Sequence, residues 1–146
     1  MLLSNTDTMA LGDLIKEFRG KITGQRVLDV QVPKMETSFT MEGNYRGTPA
    51  TDVGTYTSML REVGVLYGEG QGILTTKDGQ GMATWIGQGI GRFTGPGKVS
   101  FRGSLFFKVP PTFEGGKLSD LDNMVGMFEY ELDEAGNCSA KTWEWK

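Results

Sequence analysis

Histidine is absent from this chain, cysteine occurs once, and neither sign of charge dominates. Without histidine there is no side chain whose ordinary pKa lies nearest neutrality, and no Ser-His-Asp pair, Cys-His pair or imidazole zinc site. Acid–base chemistry would fall to carboxylates, tyrosine, lysine or the single thiol. One cysteine, Cys138, permits no intrachain disulfide and no four-cysteine metal site. It has no cationic neighbour in sequence and reads as an inert thiol. Fifteen Lys and Arg against eighteen Asp and Glu leave a formal charge of −3. That field does not gather phosphates, so nucleic acid is not an expected partner. No apolar run reaches the ~20 residues of a membrane-spanning helix, and residues 1–10 lack the basic and apolar regions of a secretory signal. The sequon Asn137-Cys138-Ser139 is then accidental. These absences lead us to expect a cytoplasmic protein with no metal, cofactor or membrane attachment.

What the chain has in excess is glycine, 22 of 146 residues, about twice the ordinary ~7%. A chain of this length and hydrophobic content (38%) is expected to form one domain with a real core. Leu11, Leu14, Ile15 and Phe18 recur at helical spacing, with Asp13, Lys16 and Glu17 on the other side and Gly20 as a stop. This pattern predicts a short amphipathic helix within an N-terminal segment, 1–20. From residue 21 to 146 the period changes to two. Strands are expected near 22–32, 35–45, 50–60, 65–76, 82–94, 99–109, 125–132 and 138–145, with a longer connection around 110–124 and Ser119 as a helix cap in it. Eight short antiparallel strands predict an all-β fold, an eight-stranded barrel with a short N-terminal helix.

Two glycine ladders lie on either side of the Asp78-Gly79 turn: Gly68, Gly70 and Gly72, then Gly87, Gly89 and Gly91. A two-residue loop there would pair Gly70 with Gly87, Gly68 with Gly89, Glu69 with Gln88 and Trp85 with Gly72, an aromatic ring over bare backbone. A bulged loop would slip the register by one and reverse every face. Such a stripe either lets a sheet bend sharply or leaves room for a ligand. It is no phosphate site, because neither ladder fits G-x-G-x-x-G or opens a helix.

The other face of these strands carries Tyr67, Glu69, Gln71, Gln88 and Arg92. Turned inward, with Trp85 and Phe101 as walls, they would be the few placed polar groups of an apolar binding site. Glu69 or Tyr67, desolvated there, would be the candidate acid or base. Turned outward, they are ordinary solvated residues, and alternation alone does not choose between the two. Glu129 and Glu131 share a face with each other and read as surface charges, as do Asp120 and Asp122. Trp143 and Trp145 share a face of the last strand, where they would meet Phe128 and Tyr130 in an aromatic core cluster. Met9, Met59, Met82, Met124 and Met127 would form a soft apolar surface.

The segments 68–78 and 87–102, together with Phe128-Glu129-Tyr130-Glu131 and Lys141-Thr142-Trp143-Glu144-Trp145, resemble a family of small uncharacterised prokaryotic proteins. The strand count and the glycine-rich middle hairpin also resemble allene oxide cyclase-like barrels of the calycin type. That second resemblance implies a lumen for apolar or amphipathic molecules and a homo-oligomer, and no catalytic motif of the cyclases transfers residue by residue. Three functions follow as expectations: a barrel that binds an apolar or amphipathic small molecule; a cofactor-free isomerase or cyclase using Glu69 or Tyr67; and a structural or interaction protein assembled through a strand edge or the glycine face.

Overall fold

A computed structural model describes residues 11–146. Eight antiparallel strands follow in chain order: β1 (Leu11–Asp29), β2 (Lys34–Tyr45), β3 (Thr48–Glu62), β4 (Val65–Thr76), β5 (Met82–Gly95), β6 (Lys98–Lys108), β7 (Val125–Leu132) and β8 (Asn137–Trp145). Each pairs with the next, and β8 pairs back to β1, so the sheet is a closed barrel without a free edge. The predicted eight-stranded antiparallel barrel is the fold.

The predicted helix is not part of it. Leu11, Leu14, Ile15 and Phe18 belong to the first half of β1. Two register shifts against β8, between Leu11 and Leu14 and between Leu14 and Lys16, break the alternation and leave Ile15 and Lys16 buried side by side. Bulges of this kind re-aim successive side chains, and here they imitate a helical period. The barrel therefore takes in Leu11 to Gly20 as well, while Met9 and the other residues up to 10 lie outside the described residues.

The ladder register is the predicted one: Gly68 faces Gly89, Glu69 faces Gln88, Gly70 faces Gly87 and Gly72 faces Trp85. The loop itself is wider than two residues. The Thr76 amide donates to Gly81 O at 3.0 Å, leaving Lys77 to Gln80 as the turn, and the parity of the pairing is unchanged.

An eight-stranded barrel has an interior just wide enough to be filled by side chains. Here the glycine ladders face that interior, and the core is supplied by Phe18, Phe39, Met41, Leu74, Trp85, Phe101, Leu105, Phe107 and Tyr130. One end is closed. The connection after β6 folds across it through two 3-10 turns, Pro111–Phe113 and Ser119–Leu121, and buries Val109, Leu118 and Leu121. Ser119 starts the second turn rather than capping it; the cap position is Leu118, with no side-chain bond. Two carboxylates fasten this plug. Asp122 Oδ1 accepts the Val109 amide at 2.9 Å, and Asp78 Oδ2 accepts the Lys117 ammonium at 2.6 Å. The Lys117 hydrogen bond, with further ones from the Gln80 amide and Thr76, holds the Asp78 carboxyl far below the ordinary range.

The outer face mixes charged and polar side chains with exposed apolar ones. Glu129 and Glu131 lie there beside Arg102, at 3.6 and 3.0 Å from its nitrogens. Trp143 and Trp145 are also on this outer side: Trp143 pairs with Met127, and Trp145 is half exposed. They do not join Phe128 and Tyr130, because even and odd positions of β7 face opposite ways and Met127, not Phe128, is opposite Trp143. No helix among the described residues is long and apolar enough to cross a membrane.

Candidate functional site

The end opposite the plug is open. There the β1–β2, β3–β4, β5–β6 and β7–β8 turns surround a cup of about 570 Å³. Its wall is apolar at Val27, Met35, Leu60, Leu66, Val99 and Leu132, with Gln25, Thr37 and Ser58 as polar positions and Asp29 and Lys34 as charged ones. Several apolar side chains at this rim stand in solvent, Val30 at 81% and Val63 at 99% exposure. Gly64 and Gly97, with φ of 80° and 72°, make the tight turns that keep two of these hairpins short.

Deeper in the lumen is a second space of about 70 Å³ in which a water-sized molecule has room to move. Its walls are Phe39, Met41, Trp85, Phe101, Leu105 and Phe128, and the strand backbone at the two glycine ladders. The ladders explain why rings fit here. A Cβ on Gly72 would fall on the Trp85 ring, and one on Gly91 would lie 2.6 Å from the Phe101 ring. Tyr56 and Phe101 line both spaces and so form the partition between them. The Tyr56 and Tyr130 hydroxyls meet at 3.1 Å, and both rings pack on Phe101 and Phe39. Burial pushes the Tyr56 phenol above its ordinary value and the Tyr130 phenol far above it. Both hydroxyls therefore stay protonated at neutral pH.

At the floor of the inner cavity lies a buried ion pair. Lys16 Nζ is 2.8 Å from Asp52 Oδ2, with the two side chains 3% and 2% exposed. Trp85 Nε1 donates to Asp52 Oδ1 at 2.9 Å. The ammonium also sits over the Phe18 and Phe107 rings, 5.0 and 5.7 Å from their centroids. Reading the sequence missed this pair. A helical reading of β1 puts Lys16 on the wet side of a helix. For Asp52 a signal is present: it is in phase with Ala50, Gly54 and Tyr56 on the inner face of β3.

Of the residues expected at a site, the structure brings only Trp85 and Phe101 into the lumen with their side chains. Tyr67, Glu69, Gln71, Gln88 and Arg92 project outward, because they alternate with the inward glycines. Outside the barrel, Tyr67 donates to Glu69 Oε2 at 3.0 Å and its hydroxyl is 3.0 Å from Gln88 Oε1, with the Arg61 guanidinium 4.9 Å from its ring centre. Partial desolvation, then the Glu69 carboxylate, raise the Tyr67 phenol above its ordinary value. The inward alternative for this polar face is therefore excluded on geometry. Cys138 is buried in the wall, and burial pushes its thiol up.

No protein-family model matches the chain, and no curated protein matches it. Among solved structures it is similar to the crystal structure of a conserved protein of unknown function from Rhodopseudomonas palustris, with a TM-score of 0.71. The match covers 92% of this chain and 97% of that one at 12% sequence identity. The fold is shared. At that identity nothing beyond the barrel carries over.

Proposed function

We propose that the protein binds an apolar or amphipathic small molecule in its lumen, admitted through the open mouth. The observation that carries this reading is the arrangement of the barrel axis: a plugged end, an aromatic-lined inner cavity against the glycine ladders, and an apolar cup open to solvent. Ligand sites are typically concave, mostly apolar and supplied with a few polar groups. The earlier likeness to allene oxide cyclase-like barrels adds the lumen as an analogy. A cyclase or isomerase role would need Glu69 or Tyr67 inside, where neither lies.

Aminoanthracene, a neutral fluorescent dye, tests the reading. It should bind the wild type and lose affinity in Phe101→Trp, where the larger ring crowds the lumen, while Trp143→Phe on the outer face binds as the wild type does. Dye binding unchanged in Phe101→Trp, or no binding at all, would contradict a site in the lumen.

A second reading, assembly with further copies, is favoured by one observation. Val53, Ile73, Ile86 and Phe106 lie close together on the outer faces of β3 to β6, each about half exposed. The strand edge and the glycine face cannot serve, since the barrel is closed and the ladders face inward. Light scattering on the wild type and on Ile86→Lys decides this: a monomer in both would remove the reading.

A further inference from the structure

We propose that the inner cavity is a subsite for an uncharged oxygen acceptor, such as a ketone or ester carbonyl, at the buried end of the bound molecule. The Lys16 ammonium would be its hydrogen-bond donor. This rests on the lumen reading above and goes on to name the chemistry of the head group.

Lys16 carries three N–H donors, yet the only hydrogen-bond acceptor that meets it among the described residues is Asp52 Oδ2 at 2.8 Å. Its other close neighbours are the faces of Phe18 and Phe107, which stabilise the charge without accepting a conventional hydrogen bond. Both Asp52 oxygens are already engaged, one by Lys16 and one by the Trp85 indole. The cavity floor therefore has donors to spare and a carboxylate already in use. A ligand group that reaches this floor should accept.

It should also be neutral. Lys16 and Asp52 cancel each other, and no other cation lines the inner cavity. A ligand carboxylate would bring an unbalanced negative charge among Phe39, Met41, Leu105 and Phe128, at a large desolvation cost. A carbonyl brings acceptor lone pairs and no charge. The sizes agree: about 70 Å³ suits a head group and its first carbons, and the cup of about 570 Å³ suits the remaining chain. Tyr56 and Phe101 must turn aside for both spaces to be filled at once, since they separate them.

The test is displacement of aminoanthracene by nonane, methyl heptyl ketone and nonanoate, which have equal chain length. On the wild type the ketone should bind about tenfold or more tighter than the hydrocarbon, the gain from one hydrogen bond to a charged donor. Nonanoate at neutral pH should be weaker than the ketone. Lys16→Met combined with Asp52→Leu should retain the dye and the hydrocarbon and lose the ketone preference. On the wild type alone, the infrared carbonyl stretch of the bound ketone should move to lower frequency. Equal binding of ketone and hydrocarbon, tighter binding of nonanoate, a preference that survives the double substitution, or an unshifted stretch would overturn the subsite while leaving the lumen reading in place. Failure of the dye and of every competitor to bind would overturn both.

Discussion

The pair formed by Lys16 and Asp52 is the most consequential polar contact in the core, and removing one partner should cost far more than removing both. Asp52→Leu leaves an ammonium at 3% exposure with no counter-charge, and it also orphans the Trp85 N–H. Breaking a buried ion pair from one side typically costs about 3–5 kcal/mol, and an unsatisfied buried donor adds about 1–3 kcal/mol. At about 2–4 °C per kcal/mol for a domain somewhat larger than this one, melting should fall by roughly 8–32 °C. Lys16→Met with Asp52→Leu replaces the charges by apolar groups of similar size, an exchange that is often close to neutral. The orphaned indole N–H should keep the double variant about 1–3 kcal/mol below the wild type. Urea unfolding followed by tryptophan fluorescence, with both single variants and the double, gives the coupling energy directly. Additive losses, or an Asp52→Leu protein as stable as the wild type, would refute the view that the two charges are buried and mutually dependent.

Other consequences follow from the same packing. All four tyrosines sit in surroundings that raise their phenols, with Tyr45 pushed up to about 12 by burial, so alkaline titration by phenolate absorbance should show less ionisation at pH 10 than in the urea-unfolded chain. Because the unfolded chain ionises first, near ~10, the Tyr45 contribution to stability is complete below that pH and is lost as pH rises through about 12. Phenolate from half the tyrosines at pH 10 in the folded protein would contradict it. Gly103→Ala should destabilise by about 1–3 kcal/mol, since its Cβ would fall on the Gln88 carbonyl and the Gly89 Cα. Gly24→Ala meets nothing within 4 Å and should be neutral or stabilising by up to about 1 kcal/mol, and denaturant unfolding compares the two. Phe101→Ala should cost about 3–5 kcal/mol and join the mouth to the inner cavity, so calorimetry should show a lower melting temperature while dye uptake rises.

Much of the fold was legible because period two is local information. Met35 to Tyr45, the ladders and the Asp78-Gly79 turn each show their strand or hairpin directly, and the register of β4 on β5 follows from pairing the glycines. The site was less legible for two reasons. Alternation separates two faces without naming the inner one, although Trp85 is in phase with Gly87 and out of phase with Gln88. A lumen holding Trp85 therefore excludes Gln88 and, across the pairing, Glu69. Bulges are the other reason. The shifts around Leu14 disguise β1 as a helix and turn Lys16 inward, and only its pairing with β8 shows this.

The lumen reading is tested most directly by native mass spectrometry of the protein purified from its own organism, without exchange into detergent or organic solvent. The expected result is a population heavier than the bare chain by the mass of one small molecule, released on unfolding and reduced in Phe101→Trp, where the larger ring crowds the partition. The bare-chain mass alone under both native and denaturing conditions, together with no uptake of an added apolar ligand, would contradict it.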